Sequence, residues 1–328
     1  MTLVMHVEES VFDLAVSTHK GWLAGSVHSL LLGNEQLPPS VPVIDPSLPT
    51  VPVANDEEVR AFLERYFHAF PEHDRTSVRL LNDGRILKYG SRVHFHEALV
   101  LKFIRERTSI PVPDVHFVFK VRDVTFIVME NVVGEDLDTL MEKDSIDDAQ
   151  LGCIAEELVG YMQQIQRIIP PPDPDGRSFG SFPSGPYHNI YFDPPPPRRY
   201  KYIEELSMYL VSMTATNPVC PPLLKAGQQV PGVLAHGDLN PSNVMVKDGR
   251  ISGIIDWDTF GSYPPWWEYM RAIRPWTRWD PIIRKEMDKA MNHGRIIYWD
   301  PSDDLMAAYY KAITLMLLKQ ESGHFGGG

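Results

Sequence analysis

Between Leu234 and Phe260 the chain reads LAHGDLNPSNVMVKDGRISGIIDWDTF, with Asp238, Asn243 and Asp256 set among apolar residues. A carboxylate at such a place can take the proton of a hydroxyl as that hydroxyl attacks an electrophile. An asparagine carbonyl and a second carboxylate are hard oxygen donors, suited to Mg²⁺, which keeps several waters and takes further ligands from phosphate. The apolar runs on either side of Asp248 and Gly249 predict a two-residue hairpin turn. In that register Asn243 faces Ile254, and Asp256 is its diagonal neighbour on the same face, roughly 7–8 Å away. Asp238 lies five residues before Asn243 on the loop leading into the hairpin, close to the expected metal without being a ligand. That place suits a base. An isolated loop aspartate is more often a turn or cap residue, but three polar positions at fixed spacing in one hairpin favour chemistry.

Positioning these groups falls to the surrounding elements. DEEVRAFLERYF, with Val59, Phe62, Leu63 and Tyr66 at helical spacing, predicts a helix. SVRLL and RILKYG flank Asn82, Asp83 and Gly84 as a first hairpin. A helix from about Phe95 to Arg107 follows, stopped by the prolines of TSIPVPDV, and VHFVFKV with VTFIVMENV forms a second strand pair. Beyond Asn131 the pattern turns helical: Leu151, Ile154, Leu158, Met162 and Ile165 mark one face of a long helix, and further helices are expected near 199–213, 280–293 and 304–320. Residues 7–32 predict one or two short helices, and the six prolines from Pro38 to Pro52 a linker or surface-wrapping arm. Pro194, Pro197 and Arg199 fit an SH3-type PxxPxR ligand, a pattern that a proline-stiffened loop explains more simply.

HGDLNPSN followed by IIDWD resembles the catalytic loop and metal strand of the aminoglycoside phosphotransferase and choline kinase families, relatives of the protein kinases, whose loop reads HRDxxxxN before DFG. TSIPVPDV is similar to the way the preceding helix ends in fungal members. The resemblance covers about residues 56–320 and implies an α+β, two-lobed kinase-like fold: a small antiparallel-sheet lobe over 56–131 and a mainly helical lobe over 132–323, after an extension of residues 1–55. It implies ATP and Mg²⁺, Asp238 as catalytic base, Asn243 and Asp256 as metal ligands, His236 as a structural member of the loop, and at most a supporting role for Asp258. It also asks for a strand lysine paired with a helix glutamate to hold the nucleotide's phosphates. Lys88 fits, because Glu97 lies on the apolar stripe Glu97, Leu101 and Ile104, where a carboxylate needs a partner. VMENVVGEDL takes the place of the hinge, with Glu130 offering its carbonyl, Val132 its amide and Met129 standing behind them. One departure is the missing GxGxxG loop, for which only Asn82, Asp83 and Gly84 substitute.

The acceptor is expected to be a small-molecule hydroxyl. After Asp256 the chain turns helical within about ten residues and has no APE, so it lacks the segment on which a protein kinase docks a peptide. Six of the seven tryptophans follow position 250; Trp266, Trp267 and Glu268 set aromatic faces beside a carboxylate, which suits a cationic amino-alcohol or amino-sugar, although such rings more often fill a core. Competing readings are a protein kinase, a catalytically dead nucleotide-binding module, and an aspartyl-phosphate hydrolase with a DxDx(T/V) motif. For the last, Phe260 stands where Thr or Val is needed.

Composition fits an enzyme of this kind. Apolar residues at 43% and charged residues at 23% are those of a globular chain of 328 residues. A net charge of −12 without a basic stripe argues against nucleic-acid binding. Two cysteines, the absence of a basic n-region before an apolar run, and no long apolar stretch predict a cytoplasmic protein that does not enter the membrane.

Overall fold

Among the described residues, a four-stranded sheet and two three-stranded sheets frame the loops and helices that hold most of the residues singled out above. The computed structural model describes residues 48–66, 77–121, 124–170, 175–187, 198–203, 232–273 and 277–294, together with 173, 196, 205, 206 and 209. The expectations for 7–32, for 304–320, for most of the proline-rich arm and of the PxxPxR motif, and for Cys220 lie outside them. The chain divides into two compact units, residues 1–106 with 112–132 and residues 107–111 with 133–328. No helix among the described residues is long and apolar enough to cross a membrane.

In the first unit, helix α1 (Asp56–Tyr66) opens on Asn55. The Asn55 side chain accepts the amides of Glu57 and Glu58, both at 3.0 Å, and the Glu58 carboxylate takes the Asn55 amide at 2.8 Å, a reciprocal cap. The predicted stripe Val59, Phe62, Leu63 and Tyr66 is buried. It packs on Leu87, Tyr89, Phe119 and Phe126, whose side chains belong to the same apolar cluster. Those residues come from β2 (Ile86–Gly90), β3 (Val115–Val121) and β4 (Val124–Met129), which with β1 (Ser77–Leu80) form a sheet ordered β1-β2-β4-β3 and antiparallel throughout. Helix α2 (Phe95–Arg107) runs between β2 and β3 and buries Glu97 along with Ala98 to Leu101, Phe103 and Ile104. Leu87 and Tyr89 face α1, so alternation turns Lys88 to the opposite side of β2.

In the second unit, β5 (Glu135–Asp136) and α3 (Leu137–Glu142) precede the long α4 (Asp148–Gln166). Asp147 and Gln150 form a capping box at the start of α4, and all five residues of its predicted apolar face are buried. β6 (Gly180–Ser181), β7 (Val233–Ala235), β8 (Val244–Lys247), β9 (Arg250–Ile254) and β10 (Gly261–Tyr263) follow, then α5 (Trp267–Ala272) and α6 (Trp279–Asn292), which packs against α4. The sheets are ordered β6-β10-β7 and β5-β8-β9.

The β8–β9 turn is the predicted one: Asp248 (φ 52°) and Gly249 (φ 73°) both lie in the left-handed region that a type I′ turn requires. The register beyond it differs from expectation. Lys247 pairs with Arg250 and Val246 with Ile251, but Met245 then pairs with Gly253 and Val244 with Ile254, leaving Ser252 as a bulge. Asn243 consequently lies opposite Ile255, whose amide donates to the Asn243 carbonyl at 3.0 Å, and not opposite Ile254. The bulge sits against Gly134 (φ 146°), where an added Cβ would stand 2.8 Å from Ser252 Oγ and 2.6 Å from the Val246 carbonyl.

Candidate active site

Lys88 and Glu97 form a buried pair in the first unit. The Lys88 ammonium lies 2.9 Å from Glu97 Oε1 and 2.7 Å from Oε2, with side chains 8% and 1% exposed. Strand β2 supplies the lysine between Val78 and Ile127, and the first turn of α2 supplies the carboxylate. Glu130, at the end of β4, exchanges bonds with Asp114: its amide donates to the Asp114 carbonyl at 2.8 Å, and its carboxylate accepts the Asp114 amide at 3.1 Å. Arg105 reaches the same carboxylate at 3.4 Å. Among the described residues none bonds the Glu130 carbonyl or the Val132 amide, the two groups expected to read a base. Met129 is buried at the end of β4.

The turn in place of a glycine-rich loop is closed on itself. Gly84 N–H donates to the Leu81 carbonyl at 2.9 Å, and Arg85 N–H to Asp83 Oδ1 at 3.2 Å. The Asp83 carboxylate also accepts from Arg85 Nη2 and from the Tyr66 hydroxyl, both at 2.6 Å. The Arg85 bonds, with the Tyr66 bond adding, hold Asp83 well below the usual carboxylate range. The amides of Gly84 and Arg85 are thus spent within the turn, and the Asp83 side chain ties it to Tyr66 of α1.

In the second unit the loop after β7 is built around its backbone. His236 is fully buried; its Nδ1 accepts the Asp238 amide at 3.3 Å, so Nε2 carries the proton and donates to the Ile255 carbonyl at 3.0 Å. Gly237 (φ 89°) has no room for a side chain, because a Cβ would stand 2.6 Å from the Thr259 carbonyl and 2.8 Å from the Tyr263 hydroxyl. Thr259 Oγ1 donates to the His236 carbonyl at 2.7 Å, and Trp267 Nε1 to the Gly237 carbonyl at 2.9 Å. Glu268 accepts the amides of Gly237 and Leu239, each at 3.3 Å. Burial pushes the Glu268 carboxyl up to about 7 against the pull of these amides, with the nearby Asp238 charge adding to the rise.

For Trp266, Trp267 and Glu268 the core-filling alternative is the one that burial favours. They are 3%, 0% and 3% exposed, and two of them carry the loop from beneath. The signal was present, since a carboxylate among buried rings needs donors and loop amides are the nearest supply.

Asp238, 9% exposed, presents its carboxylate to Arg271 and Asn240. The Asn240 side chain also caps the Pro241–Asn243 turn by accepting the Ser242 amide at 3.0 Å. Asn243 Nδ2 donates to the Asp238 carbonyl at 2.8 Å, which commits its amide nitrogen and leaves Oδ1 as the atom for a cation. Asp256, half-buried, has φ 64° and ψ 58° and opens the Trp257–Thr259 turn. It has left the extended strand, so this left-handed residue rather than strand alternation aims its side chain. Ile255 joins the parts: its amide holds Asn243, its carbonyl holds His236, and its neighbour is Asp256. Sequence reasoning missed Arg271 and Asn240.

The donor set fits Mg²⁺: one amide carbonyl and one carboxylate, both oxygen. Among the described residues no group of three or more His, Cys, Asp or Glu side chains could hold a metal, so a cation here needs phosphate or water to complete its shell. A hydrolase motif would open a doubly wound domain; IIDWDTF instead leaves an antiparallel hairpin, and Phe260 is a fully buried core ring.

A model of the phosphotransferase enzyme family, APH, matches residues 65–305. The chain belongs to that family. An aminoglycoside 3'-phosphotransferase of Enterococcus faecalis is 43% identical over 42 residues, 13% of this chain and 16% of that protein, so the match spans about a sixth of the relative's length. Among solved structures, aminoglycoside phosphotransferase APH(4)-Ia in ternary complex with ADP and hygromycin B aligns at 17% identity and TM-score 0.45, covering 71% of this chain and 76% of the other. Macrolide 2'-phosphotransferase MphH of Brachybacterium faecium aligns at 15% identity and TM-score 0.46, covering 80% and 93%.

Proposed function

We propose that this chain moves the γ-phosphate of ATP to a hydroxyl of a small molecule, with Asp238 taking the hydroxyl proton. The observation that carries the reading is the loop itself: a carboxylate at Asp238 is held by a backbone that Glu268 and Trp267 bond from below, five residues before an asparagine whose amide is already oriented. Lys88, charge-paired with Glu97, would bind α- and β-phosphate oxygens, and the Glu130 carbonyl and Val132 amide would read adenine. Mg²⁺ on Asn243 Oδ1 and Asp256 would neutralise charge on the phosphate oxygens. With the turn at Asp83 and Gly84 closed, Lys88 carries more of the phosphate binding than a glycine loop would leave to it.

The acceptor in this proposal is a small molecule because only residues 257–266, a short turn and strand β10, separate Asp256 from α5, too little for a peptide-docking segment. A cationic amino-alcohol or amino-sugar remains the preferred class, although the acidic residue invoked for it, Glu268, is buried. The site of action would be the cytoplasm, where ATP is supplied, and Cys153 is an exposed free thiol.

The test is ADP formation from MgATP across a panel containing hygromycin B, spectinomycin, choline, glucose and a serine-rich protein, run beside Asp238→Ala. Acceptor-stimulated turnover that falls about 100-fold or more in the variant is expected. Undiminished turnover in the variant removes Asp238 as base, and transfer confined to the protein acceptor favours a protein kinase.

A further inference from the structure

Arg271, one residue before the end of α5, aims two N–H groups at the same atom. Its Nε donates to Asp238 Oδ1 at 3.1 Å, and its Nη2 donates to that oxygen as well. Asn240 Nδ2 brings a third donor to Oδ1 at 3.0 Å. Oδ2 is treated differently: Asn243 Nδ2 lies 3.5 Å away, with its main bond on the Asp238 carbonyl. A guanidinium that binds a carboxylate side-on uses both oxygens. Here it binds end-on and loads one of them. Both side chains are 13% exposed, so neither charge is fully solvated if the other is removed.

The placement follows from a helix only six residues long. Glu268 and Arg271 are three positions apart and share a face of α5. The first holds the loop's backbone and the second holds its side chain, so one short helix fixes both the height of the loop and the direction of its carboxylate.

We propose that Arg271 is a positioning residue for phosphoryl transfer: by saturating Oδ1 it leaves Oδ2 as the proton acceptor and fixes the direction in which that oxygen points. The inference rests on the phosphotransferase reading. In the step itself the acceptor's O–H bond breaks, and its proton passes to Asp238 Oδ2. The acceptor oxygen forms the new bond to the γ-phosphorus, and the bond from that phosphorus to the β–γ bridging oxygen breaks, releasing ADP. Arg271 touches none of the reacting atoms.

The first measurement needs no turnover. Arg271→Gln, Asp238→Asn and the double variant are compared by thermal unfolding. Each single change strands a partly buried partner, so the double variant is expected to unfold no lower than the worse single one, while additive losses in Tm overturn the pairing. Kinetics then separate positioning from scaffolding, with MgATP and water or the best acceptor of the panel above. Arg271→Gln is expected to lower kcat about 100-fold with the KM for ATP unchanged, Arg271→Lys to recover about tenfold of it, and Arg271→Gln added to Asp238→Ala to cost no more than about twofold. Wild-type kcat in Arg271→Gln, or an equal further loss in the Asp238→Ala background, overturns the inference. Turnover unaffected by Asp238→Ala overturns the phosphotransferase reading instead. If Arg271→Gln does not fold, Arg271→Lys decides: full kcat in a variant without the guanidinium fork overturns the proposal, and a tenfold loss at constant KM upholds it.

Discussion

Each unit of this protein carries a buried or partly buried charge pair of note, and the two are built on opposite plans. Lys88 meets both oxygens of Glu97, nine residues on, with both side chains almost wholly buried. Arg271 meets one oxygen of Asp238, thirty-three residues earlier, and both remain partly open to solvent. A buried pair whose cation lies within 3 Å of both carboxylate oxygens is a fastening; it sets where β2 and α2 meet and holds an ammonium in place. A pair that loads one oxygen and leaves the other to a long 3.5 Å contact would, on the proposal above, aim it. On the proposals above, similar side-chain chemistry would fasten a phosphate-binding lysine in one unit and aim a base in the other.

The contrast can be broken at several points. The largest effect belongs to the fastening: Lys88→Met or Glu97→Leu alone should each lose about 3–5 kcal/mol in denaturant unfolding, because each strands a buried charge. The double variant should regain most of that loss yet still bind ATP weakly, and a double variant as unstable as the singles would show that the pair is no closed unit. Next comes the support of the loop. Glu268 titrates near 7 in the fold against an ordinary 4.5, so its contribution to stability is fully present below about pH 4.5 and is lost as pH rises to about 7. Relative to Glu268→Gln, which cannot ionise, the wild type should therefore lose at most about 3 kcal/mol over that window and run parallel above it. Parallel curves throughout would mean that the carboxyl ionises normally. Gly237→Ala should cost about 2 kcal/mol, from a left-handed backbone and from contact with the Thr259 carbonyl, and should lower turnover as the loop shifts. Smallest is Asn240→Ala, about 1 kcal/mol for one cap and one bond to Oδ1, with kcat falling less than in Arg271→Gln.

What could be read in advance follows the same division. The buried stripes of α1 and α4, the Asp248–Gly249 turn and the Lys88–Glu97 pair were legible because each depends on residues close in sequence or on a periodicity. The register beyond the turn was not, since a bulge at Ser252 is stabilised by a distant glycine, Gly134, that no local pattern connects to it. Arg271 was hidden for a similar reason: in WWEYMRAI nothing marks which residues look toward a loop thirty-three positions earlier. Glu268 was noticed for its neighbours, but its bonds to the loop amides went unread, because exposure, not identity, decides whether an aromatic and a carboxylate meet a ligand or a backbone.

Asp256 carries a consequence for the history of the chain. A left-handed backbone costs most residues about 1 kcal/mol that glycine would not incur, and aspartate is among those that adopt it most readily, as Asp144 and Asp248 also do here. If Asp256 holds the cation as proposed, glycine there would relieve the backbone and lose the ligand. A lineage that had abandoned the chemistry would be expected to drift there first, toward glycine or asparagine, before its buried core changed at all.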